Sequence, residues 1–258
     1  MLADLTAGAV ADAEERASSR PLAVVEQAAL QRDPSRDALA ALAPAERVKI
    51  IAEVKRASPS RGDLADIPDP AHQSRLYEQG GASAISVLTE GRRFKGSLAD
   101  LESVRDAVAL PVLRKDFIAT EYQVIEARAA GADLVLLIAA ALDQDTMARL
   151  HTLTGELGMT ALVEAHSADE VARAADIGAR LIGVNARDLS TFELDRDLFG
   201  RLADRIPSDA ISVAESAVVT ADDVAHYRRA GADVVLVGEA LVTGDPVATL
   251  RTFLKETS

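Results

Sequence analysis

GADLVLLIA, residues 131–139, sets a glycine, an alanine and an aspartate ahead of six apolar residues in a row. An unbroken apolar run of this length reads as a strand covered on both faces, as in parallel sheets flanked by helices. One-sided antiparallel strands alternate instead. The glycine suits the left-handed position that closes a helix and feeds the next strand. The same device recurs in GGASAISVL (80–88), GARLIGVN (178–185) and GADVVLVG (231–238). Four more apolar runs, KIIAEV (49–54), LPVLR (110–114), TALVE (160–164) and AISVAE (210–215), bring the strands to eight.

Helical patterns fill the intervals at 69–80, 97–108, 121–130, 143–157, 167–177, 197–205 and 220–230, with a last one at 245–255. Strict alternation of strand and helix implies parallel strands joined by crossovers. An open, doubly wound sheet can use the same connections, but eight strand–helix pairs favour a closed barrel. The expected fold is therefore α/β, a single (β/α)8 TIM-barrel domain over 1–258. Residues 1–45 form an N-terminal helical extension, broken at Pro21 and Pro34, and 46–258 form the barrel.

Composition narrows the function classes. The formal charge of −13 argues against nucleic acid, whose phosphates call for a basic face. A small anionic ligand stays open, because local groups can overrule net charge. The chain has no cysteine, which removes disulfides, thiolate metal sites and a cysteine nucleophile. His72, His151, His166 and His226 lack ligand-like spacing and fall in or beside helical segments, so surface or capping roles are expected for them. No run reaches the ~18 apolar residues of a membrane span, and no long apolar signal core opens the chain; a soluble, cytoplasmic protein without membrane contact is expected. Only Lys49, Lys55, Lys95, Lys115 and Lys255 are lysines among 28 basic residues. A lysine at a strand end invites a chemical explanation, because its ammonium can be tuned to exchange a proton and a guanidinium cannot.

IIAEVKRASPS (50–60) ends the first strand on Glu53 and Lys55, two residues apart and so on one face. Alone, the pair reads equally well as a fraying strand end with a surface ion pair worth under ~1 kcal/mol. The other strands change the balance. Reactive groups of parallel barrels gather where the strands end, and there the sequence places Lys115, Glu164, Asn185 with Arg187, Glu215 with Ser216, and Gly238 with Glu239. Crowding ionisable groups at one end costs stability and marks a functional site. Taken singly, Glu215 also reads as a structural ion pair and Arg187 as an anchor for Asp188.

The small-residue turns SAV (216–218) and GEA (238–240) lead into helices, where backbone N–H groups can hold a phosphate. Phe94 and Phe117 follow the second and third strands. With Pro59, Leu136 and Ile138 they could wall a planar ring, and each is equally readable as core.

EVKRASPSRG, TEGRRFKGS, PVLRKDFI, LVEAH, IGVNARDL, AESAV and LVGEALV, in this order and spacing, resemble the indole-3-glycerol phosphate synthases of tryptophan biosynthesis. The N-terminal helical extension is also typical of that family. The resemblance implies a carboxy-lyase that closes the pyrrole ring of 1-(2-carboxyphenylamino)-1-deoxyribulose 5-phosphate with loss of carbon dioxide and water. Lys115 matches the general acid that protonates the ketone oxygen, and Glu164 the acid/base residue that works with it. Glu53 and Lys55 match the pair at the first strand end, with the lysine on the substrate carboxylate. Asn185 positions the sugar hydroxyls or the catalytic groups, with Arg187 behind it. Ser58 lies in the loop that closes over substrate, and Ser216, Ala217, Gly238 and Glu239 match the phosphate cradle. Two lysines and two glutamates meet the proton inventory with no metal and no organic cofactor. The implied partner is a phosphorylated small molecule, with transient contact to other tryptophan-pathway enzymes and a monomeric state.

The family reads ESG where this chain reads AESAV, so Ala217 stands in place of a glycine. If that position needs positive φ, the methyl group costs about 1 kcal/mol or more, with phosphate affinity the expected casualty. Glu239 would have to turn its carboxylate away from the phosphate. On the residues alone, a Schiff-base aldolase using Lys115, a phosphoribosyl isomerase and a non-catalytic barrel holding a phosphorylated ligand remain the alternatives.

Overall fold

The computed structural model describes residues 1–59, 61–188 and 193–255; Ser60 and Leu189 of the quoted motifs lie outside them. All eight apolar runs form strands: β1 (Lys49–Val54), β2 (Ala84–Leu88), β3 (Val112–Lys115), β4 (Leu134–Ile138), β5 (Thr160–Ala165), β6 (Leu181–Asn185), β7 (Ile211–Glu215) and β8 (Val234–Val237). Every pairing is parallel, and β1 pairs with both β2 and β8, placing Ile51 opposite Ala84 and Leu236. The sheet is therefore a closed barrel and not an open one.

Helices occupy the expected intervals. They are α4 (Pro70–Gly80), α5 (Leu98–Ala107), α6 (Glu121–Ala130), α7 (Gln144–Glu156), α8 (Ala168–Asp176), α9 (Leu198–Leu202), α10 (Ala221–Arg229) and α12 (Pro246–Lys255), with a further short turn, α11 (Glu239–Val242), after β8. The repeated glycine does what the sequence suggests: Gly81, Gly131, Gly178 and Gly231 all have φ between 74° and 99°. The aspartate of the GAD repeats has a role too. Asp133 accepts from Val112 N at 2.9 Å and Asp233 from Ser212 N at 2.9 Å, so each ties its strand to the start of the preceding one.

Strand alternation creates two apolar compartments. Ile50, Ala52 and Val54 turn outward to pack under the helices, whereas Ile51, Leu113, Leu136, Leu162, Val213 and Leu236 fill the barrel interior. The N-terminal extension serves both ends of that interior. In α1 (Leu2–Ser19), Leu5 and Ala9 join the interior cluster; so do Ala38 and Leu42 of α3 (Ala38–Leu42). Arg36, just before α3, donates its N–H to Asp133 at the start of β4, which places α3 under the N-terminal ends of the strands. Between them α2 (Leu22–Leu30) buries Val25 and Ala29 against Ile125 and Ala129 of α6.

A buried charge network fastens this extension to β3. Arg114, fully buried and facing outward, donates to Glu126 at 3.0 Å, to Asp116 at 3.0 Å and to Thr89 at 3.2 Å. Glu126 in turn accepts from Arg16 of α1 at 2.6 and 2.8 Å. Removing one partner of a buried network strands the others without compensation. Glu126→Ala is expected to lower unfolding free energy by about 3–5 kcal/mol in urea titration. Arg149→Ala, which breaks an exposed 3.9 Å pair with Glu121, is expected to stay within about 0.5 kcal/mol.

Candidate active site

At the C-terminal ends of the strands a single cleft collects every site residue read from the sequence. Strand parity explains the first pair. Glu53 and Lys55 both face the cleft, with Lys55 Nζ 3.0 Å from Glu53 Oε1. Glu53 is 1% exposed and also takes a 3.4 Å hydrogen bond from Ser86 Oγ on β2. A fraying strand end would not bury it so.

Lys115 reaches across the mouth from β3. Its Nζ lies 2.8 Å from Glu215 Oε2 on β7 and 3.4 Å from Glu164 Oε2 on β5. Glu215 thus forms an ion pair, as one reading of the sequence had it, but with a lysine inside the cleft. The second carboxylate oxygens, Oε1 of Glu164 and Oε1 of Glu215, are buried without a hydrogen-bond partner among the described residues. Two glycines make room for these acids. A Cβ on Gly183 would stand 2.2 Å from Glu215 Oε1, and one on Gly238 would stand 2.7 Å from Glu53 Oε1.

The charge states follow from this packing. Burial opposes the Lys115 ammonium, but Glu215, Glu164 and Glu53 together hold its pKa above the usual lysine range. Burial likewise opposes ionised Glu164, and Lys115, His166 and a hydrogen bond from Asn185 overcome it, leaving its pKa lowered. Glu215 is pushed up to about 7, first by burial and then by the neighbouring Glu164 carboxylate, against the pull of Lys115. The site at neutral pH is one ammonium, one carboxylate, and one carboxyl poised to exchange its proton.

Asn185 organises the next two loops. Its Oδ1 accepts from Ser216 Oγ at 2.8 Å and from Arg187 N at 3.0 Å. Ser216 and Ala217 have φ of 68° and 57°, so Ala217 does occupy left-handed backbone. Glu239 turns toward the β1 loop, where its Oε1 lies 3.0 Å from Arg61. Gly238 precedes α11 and lines the same side of the cleft. That loop is pinned as a hairpin between Ala57–Ser58 and Gly62–Asp63, with Ser58 buried and Pro59 beside it.

The opposite wall is apolar. Phe94 and Phe117 stand 6.1 Å apart between ring centroids, tilted by 43°, with Leu136 and Ile138 behind them. Phe94 is held by its loop: Glu90 accepts from the backbone N–H of Arg92, Arg93 and Phe94 at 2.7–3.0 Å. Among the described residues no group of three or more His, Asp or Glu side chains is arranged to hold a metal ion, and no helix is long and apolar enough to cross a membrane.

Some contributors were not anticipated. Leu5 of α1, Arg61 and Leu194 also line the cleft. Leu5 carries no local signal, because it arrives from the far end of the chain, whereas Leu194 comes from the segment after β6 and pairs with Arg187. His166 corrects the expectation of a surface or capping histidine: its side chain is 13% exposed and its Nε2 lies 3.5 Å from Glu164 Oε1. The signal was present, since His166 stands two residues from Glu164 just as Lys55 stands two from Glu53.

A family model described as indole-3-glycerol phosphate synthase matches residues 2–253. The indole-3-glycerol phosphate synthase of Leifsonia xyli is 74% identical over 253 residues, covering 98% of this chain and 97% of the relative. That of Nocardioides sp. is 57% identical over 252 residues, covering 97% and 96%. Among solved structures, an N-acetylmannosamine-6-phosphate 2-epimerase from Clostridium perfringens aligns with a TM-score of 0.63 at 14% identity, over 83% of this chain and 94% of that one. At that identity the likeness is one of fold.

Ala217 offers a test of the turn geometry. Ala→Gly at an ordinary helical position costs up to ~1 kcal/mol, whereas at positive φ it relieves about as much strain. Ala217→Gly is expected to leave the unfolding free energy unchanged or raised by up to about 1 kcal/mol. A loss of about 1 kcal/mol on chemical denaturation would contradict the left-handed assignment.

Proposed function

The chain belongs to the indole-3-glycerol phosphate synthase family, carboxy-lyases of tryptophan biosynthesis that act on a phosphorylated small molecule, and on that premise we propose how its cleft divides the work. The observation that carries the proposal is the Lys115 ammonium lying between Glu215 and Glu164 in a cleft walled by Phe94 and Phe117.

The anthranilate ring of the substrate lies against Phe94, Phe117, Leu136, Ile138 and Pro59, and its carboxylate meets Lys55. The phosphate goes to the turn formed by Ser216, Ala217 and Gly238 with the N–H of Glu239. The aryl carbon then attacks the ketone carbon, and Lys115 gives its proton to the ketone oxygen, which becomes a hydroxyl. Loss of carbon dioxide returns the bonding pair to the ring. Dehydration then needs an acid and a base: Lys55 gives the hydroxyl a proton so that it leaves as water, and Glu164 takes the proton from the adjacent carbon of the new ring, which forms the double bond. Positioned proton donors of this kind contribute typically ~10²- to 10⁴-fold. Glu53 holds Lys55, Glu215 orients Lys115, and Asn185 keeps Ser216 and Arg187 against the sugar phosphate. Ser58 belongs to the hairpin over the cleft.

An aldolase would need Lys115 as a neutral amine. The acidic side chains of Glu215, Glu164 and Glu53, which hold the ammonium charged, favour an acid instead. We place the protein in the cytoplasm as a monomer with transient contact to other tryptophan-pathway enzymes; the extension, which already covers the barrel floor, supports the monomer.

Purified protein mixed with 1-(2-carboxyphenylamino)-1-deoxyribulose 5-phosphate is expected to develop indole fluorescence. Lys115→Ala should lower kcat by at least ~10²-fold while substrate still binds; comparable rates in the variant would exclude Lys115 as the acid. The pH profile supplies a second check. Glu215, raised to about 7, loses its proton as pH rises from about 6 to 8, and only then draws the ammonium fully into place. The rate should therefore climb through this window, and Glu215→Gln should abolish the climb.

A further inference from the structure

Behind Glu164, on the side away from Lys115, stands a histidine with acids at both ring nitrogens. His166 Nε2 lies 3.5 Å from Glu164 Oε1, and Nδ1 lies 3.5 Å from Glu170 Oε2. Among the described residues neither nitrogen has a hydrogen-bond partner, and Glu164 Oε1 is equally unpartnered. The frame around the ring is rigid. Ser167 caps α8 by accepting from Glu170 N at 3.2 Å, and Glu170 Oε2 accepts from His166 N at 2.8 Å, so the Glu170 carboxylate cannot swing away without giving up that backbone hydrogen bond. At the strand end, parity points Glu164 and His166 the same way.

A neutral imidazole must present one lone pair, and here that lone pair would face a carboxylate. The imidazolium presents N–H to both. We infer that His166 is a positioning residue for the lyase reaction: as an imidazolium fixed by Glu170, it holds the Glu164 carboxylate ionised and aimed at Lys115, ready to take a proton. This rests on the proposed role of Glu164 as the base. The direction of the histidine shift agrees. Burial opposes the charged ring, yet Glu170, Glu164 and the more distant Glu215 raise its pKa above the ordinary value. Among the described residues the charged groups acting on the ring are these three acids.

The arrangement also separates two functions among the acids. Lys115 supplies charge to Glu164 from the cleft side and must give up its proton during the reaction, so at that moment its stabilisation of Glu164 is lost. His166 lies outside the reacting atoms and keeps its charge throughout. Glu164 then remains a carboxylate at the step when it is needed.

Two measurements test this. In steady-state kinetics on the Glu215→Gln background, which removes the climb assigned to Glu215, adding His166→Gln should lower kcat about tenfold with KM within about twofold, and the acidic fall in kcat should set in about one pH unit higher than in Glu215→Gln alone. A uniform loss with an unshifted profile, or a profile matching Glu215→Gln alone, would overturn the proposal. If the variant does not fold, the His166 ring can be titrated by NMR in the wild-type protein and in Glu170→Gln. A midpoint above about 6.5 that drops in Glu170→Gln supports the imidazolium frame; a midpoint at or below the ordinary value, or one indifferent to Glu170, overturns it. The titration needs no turnover. Absence of indole formation by the wild type would therefore fail the reading of the reaction, and the NMR result would separately decide whether the frame exists.

Discussion

One ammonium group shared by acids on separate strands is the interaction that the rest of this architecture serves. Lys115 on β3, Glu164 on β5 and Glu215 on β7 meet only because the sheet closes and brings three strand ends around one mouth. Two buried carboxylates near each other repel, and each loses hydration. The lysine offsets both penalties. Without it the two acids would have to take up protons, as the raised pKa of Glu215 already indicates for one of them. The neighbouring strands accommodate the cluster by omission: at Gly183 and Gly238 the carboxylates of Glu215 and Glu53 fill the space a side chain would take.

Such a cluster needs a stiff frame. The residues on either side of Lys115 in the chain provide part of it, since alternation turns Arg114 into the layer under the helices, where the Asp116 carboxylate accepts from it at 3.0 Å. There Arg114 is fully buried and bound to Glu126, which also holds Arg16 of α1. The N-terminal extension is therefore coupled to the strand that carries the lysine. It contributes again through Leu5 at the cleft and Leu42 at the floor, so both ends of the barrel interior are covered by one continuous stretch of chain.

The two walls of the cleft do different physical jobs. The aromatic side, with Phe94 fixed by the backbone contacts of Glu90, is apolar and shaped. The opposite side is polar backbone held in unusual conformation at Ser216 and Ala217. Asn185 joins them to the acids by accepting from Ser216 and favouring ionised Glu164.

Periodicity and parity are local, and for that reason the sequence alone determined the eight strands, the left-handed glycines and the polar strand ends from Glu53 to Glu239. The same parity that sets Glu53 and Lys55 on one face does so for Glu164 and His166. Distances between strands are not local. That Lys115 lies closer to Glu215 than to Glu164, that Glu239 turns to Arg61, and that Leu5 reaches the cleft from the far end of the chain were decided by barrel closure and by the packing of the extension. The sign of φ at Ala217 belongs with these. Its residue type disfavours the left-handed region, and the turn between β7 and α10, held by Asn185 and Tyr227, imposes it.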